Sequence, residues 1–169
     1  MQKMTDFNSK VGAASSGSSL LVVQVCLVAS LGGVLFGFDT AVISGTIGMV
    51  ETQFGLDKVE VGWFGSAALI GAIIGSLISG VLGDRYGRRY ILLVSAVLFF
   101  LSALGSTLPS SFSALIIARL VGGLGIGIAS VLAPLYISEF SPAKIRGRLV
   151  ALYQLSIVIG ILLAYFSNW

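Results

Sequence analysis

An all-α transmembrane protein of five membrane-spanning helices is the fold class this sequence predicts, and three observations predict it. Only 10% of the 169 residues are charged while 56% are hydrophobic. A soluble domain carries about 25% charged residues, so the polar shell needed to cover a globule is missing, and mean hydropathy is +1.02. Five apolar runs reach the ~20 residues that a helix needs to cross a bilayer. The basic residues gather in short segments on one side of those runs.

The elements follow in order. Residues 1–19 are polar, with Lys3, Lys10 and a Ser/Gly-rich stretch from Ala13 to Ser19, and read as a mobile cytoplasmic tail. A cleaved signal peptide fits less well, because the first apolar run is too long and no small-residue cleavage site follows it. Residues 20–169 read as one transmembrane domain, with spans near Leu20–Gly48, Val61–Leu82, Tyr90–Leu108, Phe112–Ile137 and Leu149–Phe166. The first is longer than a bilayer requires and contains Gly32, Gly33, Gly37 and Gly45. Tilt or a local break would absorb the excess, and carriers place broken helices where they line a substrate cavity. The second span holds Gly71-x-x-x-Gly75 and the fourth Gly123-x-x-x-Gly127. Both are small-residue faces suited to close helix contact.

Charge placement orients the chain. Lys3, Lys10, Arg85, Arg88, Arg89, Lys144, Arg146 and Arg148 fall on one side, and Lys58 alone on the other. Positive loops stay cytoplasmic, so the N-terminus is inside and Trp169 emerges outside. The net charge of +3 and pI of about 9.2 therefore reflect topology and not a nucleic-acid partner. Histidine is absent and the single Cys26 lies in an apolar run, which excludes disulfide frameworks, zinc sites and His-based catalysis. No nucleophile sits beside a base and no metal-ligand cluster is visible, so the chain reads as neither an enzyme nor a cofactor protein.

Two charges lie within the spans, Asp39 in the first and Arg119 in the fourth. A charge at the bilayer centre costs at least roughly 3 kcal/mol on insertion scales and normally faces a protein interior or a water path. Counted from the expected span ends, both lie roughly 10–14 Å deep at 1.5 Å per residue, so they can meet if their helices are neighbours. A structural ion pair that fixes register is one reading. Proton coupling is the other: low dielectric favours a neutral carboxyl and a nearby guanidinium favours a charged one. Arg119 stays protonated, so only Asp39 can carry the proton.

The loop Gly80-Val-Leu-Gly-Asp84-Arg85-Tyr-Gly87-Arg88-Arg89 joins the second and third spans. Glycine serves where the backbone turns sharply. Asp84 can accept from backbone N–H groups at a helix start or pair with the arginines, whose forks suit carboxylates. The pattern G-x-x-x-D-R-x-G-R-R between two spans resembles the signature loop of the major facilitator superfamily. A second cluster, Pro134-Leu-Tyr136-Ile-Ser138-Glu139-Phe-Ser141-Pro142-Ala-Lys-Ile-Arg146-Gly147, is similar to the P-x-Y-x-S-E-x-x-P-x-x-x-R-G stretch of its sugar porters. Phe36-Gly37-Phe38-Asp39-Thr40-Ala41-Val42-Ile43-Ser44-Gly45, Arg119-Leu-Val-Gly122-Gly-Leu-Gly125-Ile-Gly127 and Gln154-Leu-Ser-Ile157-Val-Ile-Gly160 complete the resemblance, which runs from about residue 20 to the last.

That resemblance implies roles. The first-helix acid, here Asp39, is associated with proton coupling opposite the fourth-helix arginine, here Arg119. Facilitative carriers usually have a neutral residue at the acid's position, so the chain resembles bacterial sugar–proton symporters. Gln154 would line the sugar site, its amide offering two donors and an acceptor pair, with Phe36 and Ile157 as apolar walls. Interhelical glue is the alternative role for Gln154. Some pentose symporters have a second glutamine seven residues on, where this chain has Ile161, which argues against a narrow xylose assignment and leaves hexoses open. Asp84, Arg85, Arg88, Arg89, Glu139 and Arg146 would form a cytoplasmic gate. Exposed pairs are worth only about 0–1 kcal/mol each, but a network of several can bias a two-state equilibrium, and topology anchoring is an equal contributor.

The family has twelve spans in two halves, each of two inverted three-helix repeats. Five spans make a partial N-terminal six-helix half of a major facilitator fold: one complete repeat and two helices of the next. The chain is thus expected to be an N-terminal fragment, unable to transport without the missing C-terminal half. Its expected partners are a monosaccharide, a proton and the lipid bilayer, with residence in the inner (plasma) membrane. The alternatives are a facilitative sugar or polyol carrier with a structural Asp39, and a non-transporting membrane scaffold.

Overall fold

The computed structural model describes residues 2–107, 109 and 111–169, with side chains described from Cys26 onward. Five helices follow one another: α1 (Gln2–Phe54), α2 (Lys58–Tyr86), α3 (Arg88–Thr107), α4 (Phe112–Phe140) and α5 (Arg146–Ser167). Each contains a stretch long and apolar enough to cross a membrane, the one in α1 being Cys26–Phe54. The helices outrun the apolar runs by a few residues at most ends, because amphipathic and polar side chains continue a helix into the headgroup layer. The largest difference is at α1, whose helix begins at Gln2, so the stretch expected as a mobile tail is helical backbone; its other end differs too. The apolar run stops at Gly48, but Glu51, Thr52 and Gln53 stay helical and the helix ends only before Gly55. Gly55 has φ +61°, the left-handed conformation that closes helices. The helix is also continuous through its glycines; no local break occurs.

Caps set the other ends. Asp57 Oδ1 accepts from the Val59 and Glu60 N–H groups at 2.9 and 2.8 Å, while the Asp57 N–H donates to Glu60 Oε2 at 3.0 Å, a reciprocal capping box. Ser111 Oγ accepts from the Ala114 N–H at 3.2 Å. Between α2 and α3 the only non-helical residue is Gly87, φ +89°, so the tight turn expected there is one residue long.

The middle of the bundle is α4. Half of its apolar window is buried, against 11–28% in the other helices. It packs most heavily on α2 and α3, whereas α1 packs chiefly on α5. Both major seams are made by glycine. A Cβ on Gly71 would overlap the Leu120 carbonyl oxygen, and one on Gly123 the Ala68 carbonyl. The same reciprocity links Gly75 with Leu124 and Gly127 with Ala72. It recurs between α1 and α5, where Gly37 meets the Ile157 carbonyl and Gly160 the Val34 carbonyl. In every case each glycine faces the carbonyl three residues before its opposite glycine. A glycine Cα–H pointing at a carbonyl across a helix interface is a recurring weak hydrogen bond. Helix α1 thus docks on α5, and α4 on α2, in one shared geometry. Apolar side chains fill in around the seams at the end of the bundle that carries most of the arginines. One cluster there joins Cys26, Ala133, Ile137 and Tyr153, and another joins Ile91, Ile128 and Leu132.

Candidate functional site

Where α1 touches α4, the two intramembrane charges meet. Arg119 Nη1 donates to Asp39 Oδ1 at 3.1 Å. Asp39 stands two residues past the Gly37 contact and Arg119 one turn before Gly123, so both seams hold their charge close to a point where the backbone cannot shift. Counted from the observed ends, Asp39 lies fifteen residues from Phe54 and Arg119 only seven from Phe112. The unequal counts arise because α1 projects further than α4 does; the 3.1 Å contact itself puts the two charges at one level, as their expected equal depth requires.

The pair is buried unequally. The Arg119 side chain is 10% accessible and that of Asp39 24%. The guanidinium carbon lies 5.4 Å from the centroid of the Phe64 ring, a side chain only 2% exposed, and a desolvated cation over an aromatic face gains about 2 kcal/mol or more. Arg119 Nε is buried with no partner among the described residues. Contact with Asp39 runs through one N–H, not a two-pronged fork, so the carboxylate keeps an oxygen that no described residue occupies. That arrangement suits an acid that gains and loses a proton while its cationic neighbour stays in place. Removing one partner from a buried pair costs about 3–5 kcal/mol, so any change at Asp39 is felt by Arg119. Phe64 does not stand out in the sequence, because nothing in the spacing along α2 shows that α4 will lay an arginine across it.

The α1–α5 seam brings the other expected site residues into one neighbourhood. Phe36 adjoins Gly37, whose contact is the Ile157 carbonyl, and Gln154 lies one turn before Ile157. Phe36 and Ile157 are half-buried, and Ile157 packs against the cluster around Tyr153. Gln154 is exposed and hydrogen-bonds no neighbouring helix among the described residues, which leaves its amide available to a ligand. Ile161 is half-buried, with its backbone N against the Gly37 position.

At the arginine-rich end, one residue is the hub. Arg88 Nη1 stands 2.7 Å from Glu139 Oε1 and Nη2 3.4 Å from Asp84 Oδ1. The Glu139 contact is a close ion pair whose alignment falls outside that of a hydrogen bond. Asp84 lies inside α2 and pairs with the arginine; it does not cap a helix start. Arg85 lies over the Tyr86 ring at 5.5 Å. Arg85, Arg89 and Arg146 are exposed and join no ion pair among the described residues. Three of the six expected gate residues are therefore brought together and three are not.

Comparison with known proteins adds a family. The family model described as "Sugar (and other) transporter" matches residues 25–169. The arabinose–proton symporter of Bacillus subtilis (strain 168) is 46% identical over 164 residues, 97% of this chain and 35% of that protein. A D-xylose transporter of Levilactobacillus brevis is 48% identical over 140 residues, 83% of this chain and 31% of its own length. A solved structure of the major facilitator superfamily proton:xylose symporter XylE, bound to 6-bromo-6-deoxy-D-glucose, superposes with a TM-score of 0.82 at 40% identity, over 89% of this chain and 37% of that one. The chain spans about a third of the length of the curated relatives it matches.

Proposed function

From the premise that this chain belongs to the sugar (and other) transporter family, we propose that its five helices serve a carrier that moves a monosaccharide together with a proton by alternating access. The multi-pass membrane character is plain from the five spans. Both finer points belong to the proposal: the plasma membrane as address rests on the related symporters, and the arginine-rich end as the cytoplasmic one on the loop charges. The observation that carries the reading is the single-N–H contact between Asp39 and Arg119 at 3.1 Å, held where α1 meets α4.

A proton arriving at Asp39 removes the counter-charge of a guanidinium that remains protonated. The ionic part of the α1–α4 contact is then lost. A ligand can shift a two-state equilibrium only by its differential affinity for the states, and the proton acquires that difference here. The sugar binds beside the α1–α5 seam, with hydroxyls on the Gln154 amide and its carbon face against Phe36 and Ile157. Hexoses and pentoses both fit that chemistry. On the cytoplasmic side the Arg88–Glu139 and Arg88–Asp84 pairs help keep the inner end closed while the carrier faces outward. Asp39→Asn in a carrier containing these helices is expected to abolish uphill accumulation while sugar exchange continues. Undiminished concentrative uptake in energised vesicles would instead make Asp39 structural and the protein a facilitative carrier.

A further inference from the structure

We infer that these five helices form two bodies, an arm of α1 with α5 and a platform of α2, α3 and α4, and that the arm turns against the platform as a unit. The division comes from packing; that the arm carries the sugar contacts rests on the function proposed above.

Each body is locked along its length by glycine. In the arm, Gly33 meets Ser156, Gly37 and Gly160 meet the opposite carbonyls, and Gly45 meets Asn168 just past α5. In the platform, α4 is held on two sides. Gly123 and Gly127 meet α2, while Gly122 meets Ser102 and Gly125 the Ser95 carbonyl of α3. Every described glycine whose added Cβ would touch a neighbour finds that neighbour inside its own body, and none reaches across. Backbones brought together through small residues approach closely, and protein packed to that density yields little to compression.

The boundary between the bodies is built differently. Side chains meet there, at three levels. The Cys26, Ala133, Ile137 and Tyr153 cluster stands at the arginine-rich end and the Asp39–Arg119 pair in the middle. At the far end the Phe54 and Phe112 rings lie 6.3 Å apart between centroids. Between the last two levels is a cavity of about 210 Å³, with Thr46 and Val50 of the arm on one side and Phe64, Ser106 and Leu115 of the platform on the other. Atoms lining that space have no partner across the boundary, so less dispersion attraction holds it. The chain passes between the bodies twice, at 55–57 and 141–145, and both passages are non-helical. A few residues of that kind at the ends of elements are what hinges are made of.

What each body carries gives the motion a use. Phe36, Gln154 and Ile157 are all on the arm, and Asp84, Arg88 and Glu139 are all on the platform. When the arm turns, the sugar contacts keep their places relative to one another. They change place only relative to Arg119 and to the Arg88 ion pairs.

Spin-label distances test this in a carrier containing these helices, in lipid nanodiscs, with Cys26→Ala as background. Leu35→Cys with Leu162→Cys reports within the arm and Leu77→Cys with Leu104→Cys within the platform. Leu104→Cys with Leu162→Cys reports across the boundary, and all four leucines are exposed. Cutting the ionic tie with Asp39→Asn should shift or split the cross-boundary distance by about 3 Å or more, beyond the ~1–2 Å of a helix adjusting at an interface. The two internal distances should stay inside that smaller range. Saturating D-xylose, arabinose, glucose or galactose should bring about the same pattern with Asp39 intact. Phe54→Ala, which removes the ring contact, repeats the release should Asp39→Asn not reach the membrane. An arm distance that changes as much as the cross-boundary one would overturn the division, and so would a cross-boundary distance unmoved by either release and by every sugar. A response to Asp39→Asn or Phe54→Ala with none to any sugar supports the arm and counts against the sugar site alone.

Discussion

Asp39 and Arg119 are legible as a pair in the sequence itself, because two lone charges in an apolar chain have few places to go. What spacing does not reveal is how they meet. The contact is single-pronged, Phe64 backs the guanidinium, and the acid lies deeper in its helix than the base does in its own. Each depends on α1 outlasting its apolar run and on α2 packing under α4. Gln154 presents the opposite case. The role proposed for it comes from family likeness, and the fold contributes that its amide is exposed beside the α1–α5 seam. Losing one or two hydrogen bonds to a sugar, each worth about 0.5–1.5 kcal/mol, should weaken binding in Gln154→Ala by roughly tenfold, read as sugar Kd in the purified carrier. Unchanged affinity would remove Gln154 from the ligand site.

At the level of helices, the number and order of elements are readable from hydropathy alone, and so is the use of Gly71, Gly75, Gly123 and Gly127 for contact. The reciprocal geometry is not, since it depends on which helix each glycine meets. Gly37 shows the difference. In the sequence it reads as a candidate break in a long span; in the fold it is a contact that Gly160 mirrors. Gly123→Leu puts a branched side chain into the Ala68 carbonyl, and overpacking of this kind costs about 1–3 kcal/mol or more. The midpoint of thermal unfolding in detergent should fall by several degrees. Gly32→Leu should leave it within a degree or two, because a Cβ there meets nothing within 4 Å.

Across the whole bundle, α1 packs chiefly on α5 and α2 and α3 pack on α4, with α4 at the centre. The loop charges are visible in the sequence as a group, but their pairing is not. Arg88 gathers Asp84 and Glu139 because a one-residue turn at Gly87 places it at the very start of α3, beside the end of α4. Arg85, Arg89 and Arg146 carry the same charge at the same end of the bundle and join no ion pair among the described residues. Glu139→Ala should therefore shift a carrier toward its inward-open form. Cytoplasmic cysteine reporters should react two- to fivefold faster, and unchanged reactivity would limit these residues to anchoring topology.

The pairing of α1 with α5 also bears on how the protein is made. Gly37 finds its carbonyl on Ile157, a hundred and twenty residues later in the chain. At synthesis rates of about 5–20 residues per second, that partner emerges roughly 6–24 s after the glycine does. Through that interval the first span sits in the bilayer with its docking surface open and the Asp39 carboxyl awaiting Arg119. The insertion machinery, or the lipid itself, has to shelter an acidic helix until its neighbours arrive.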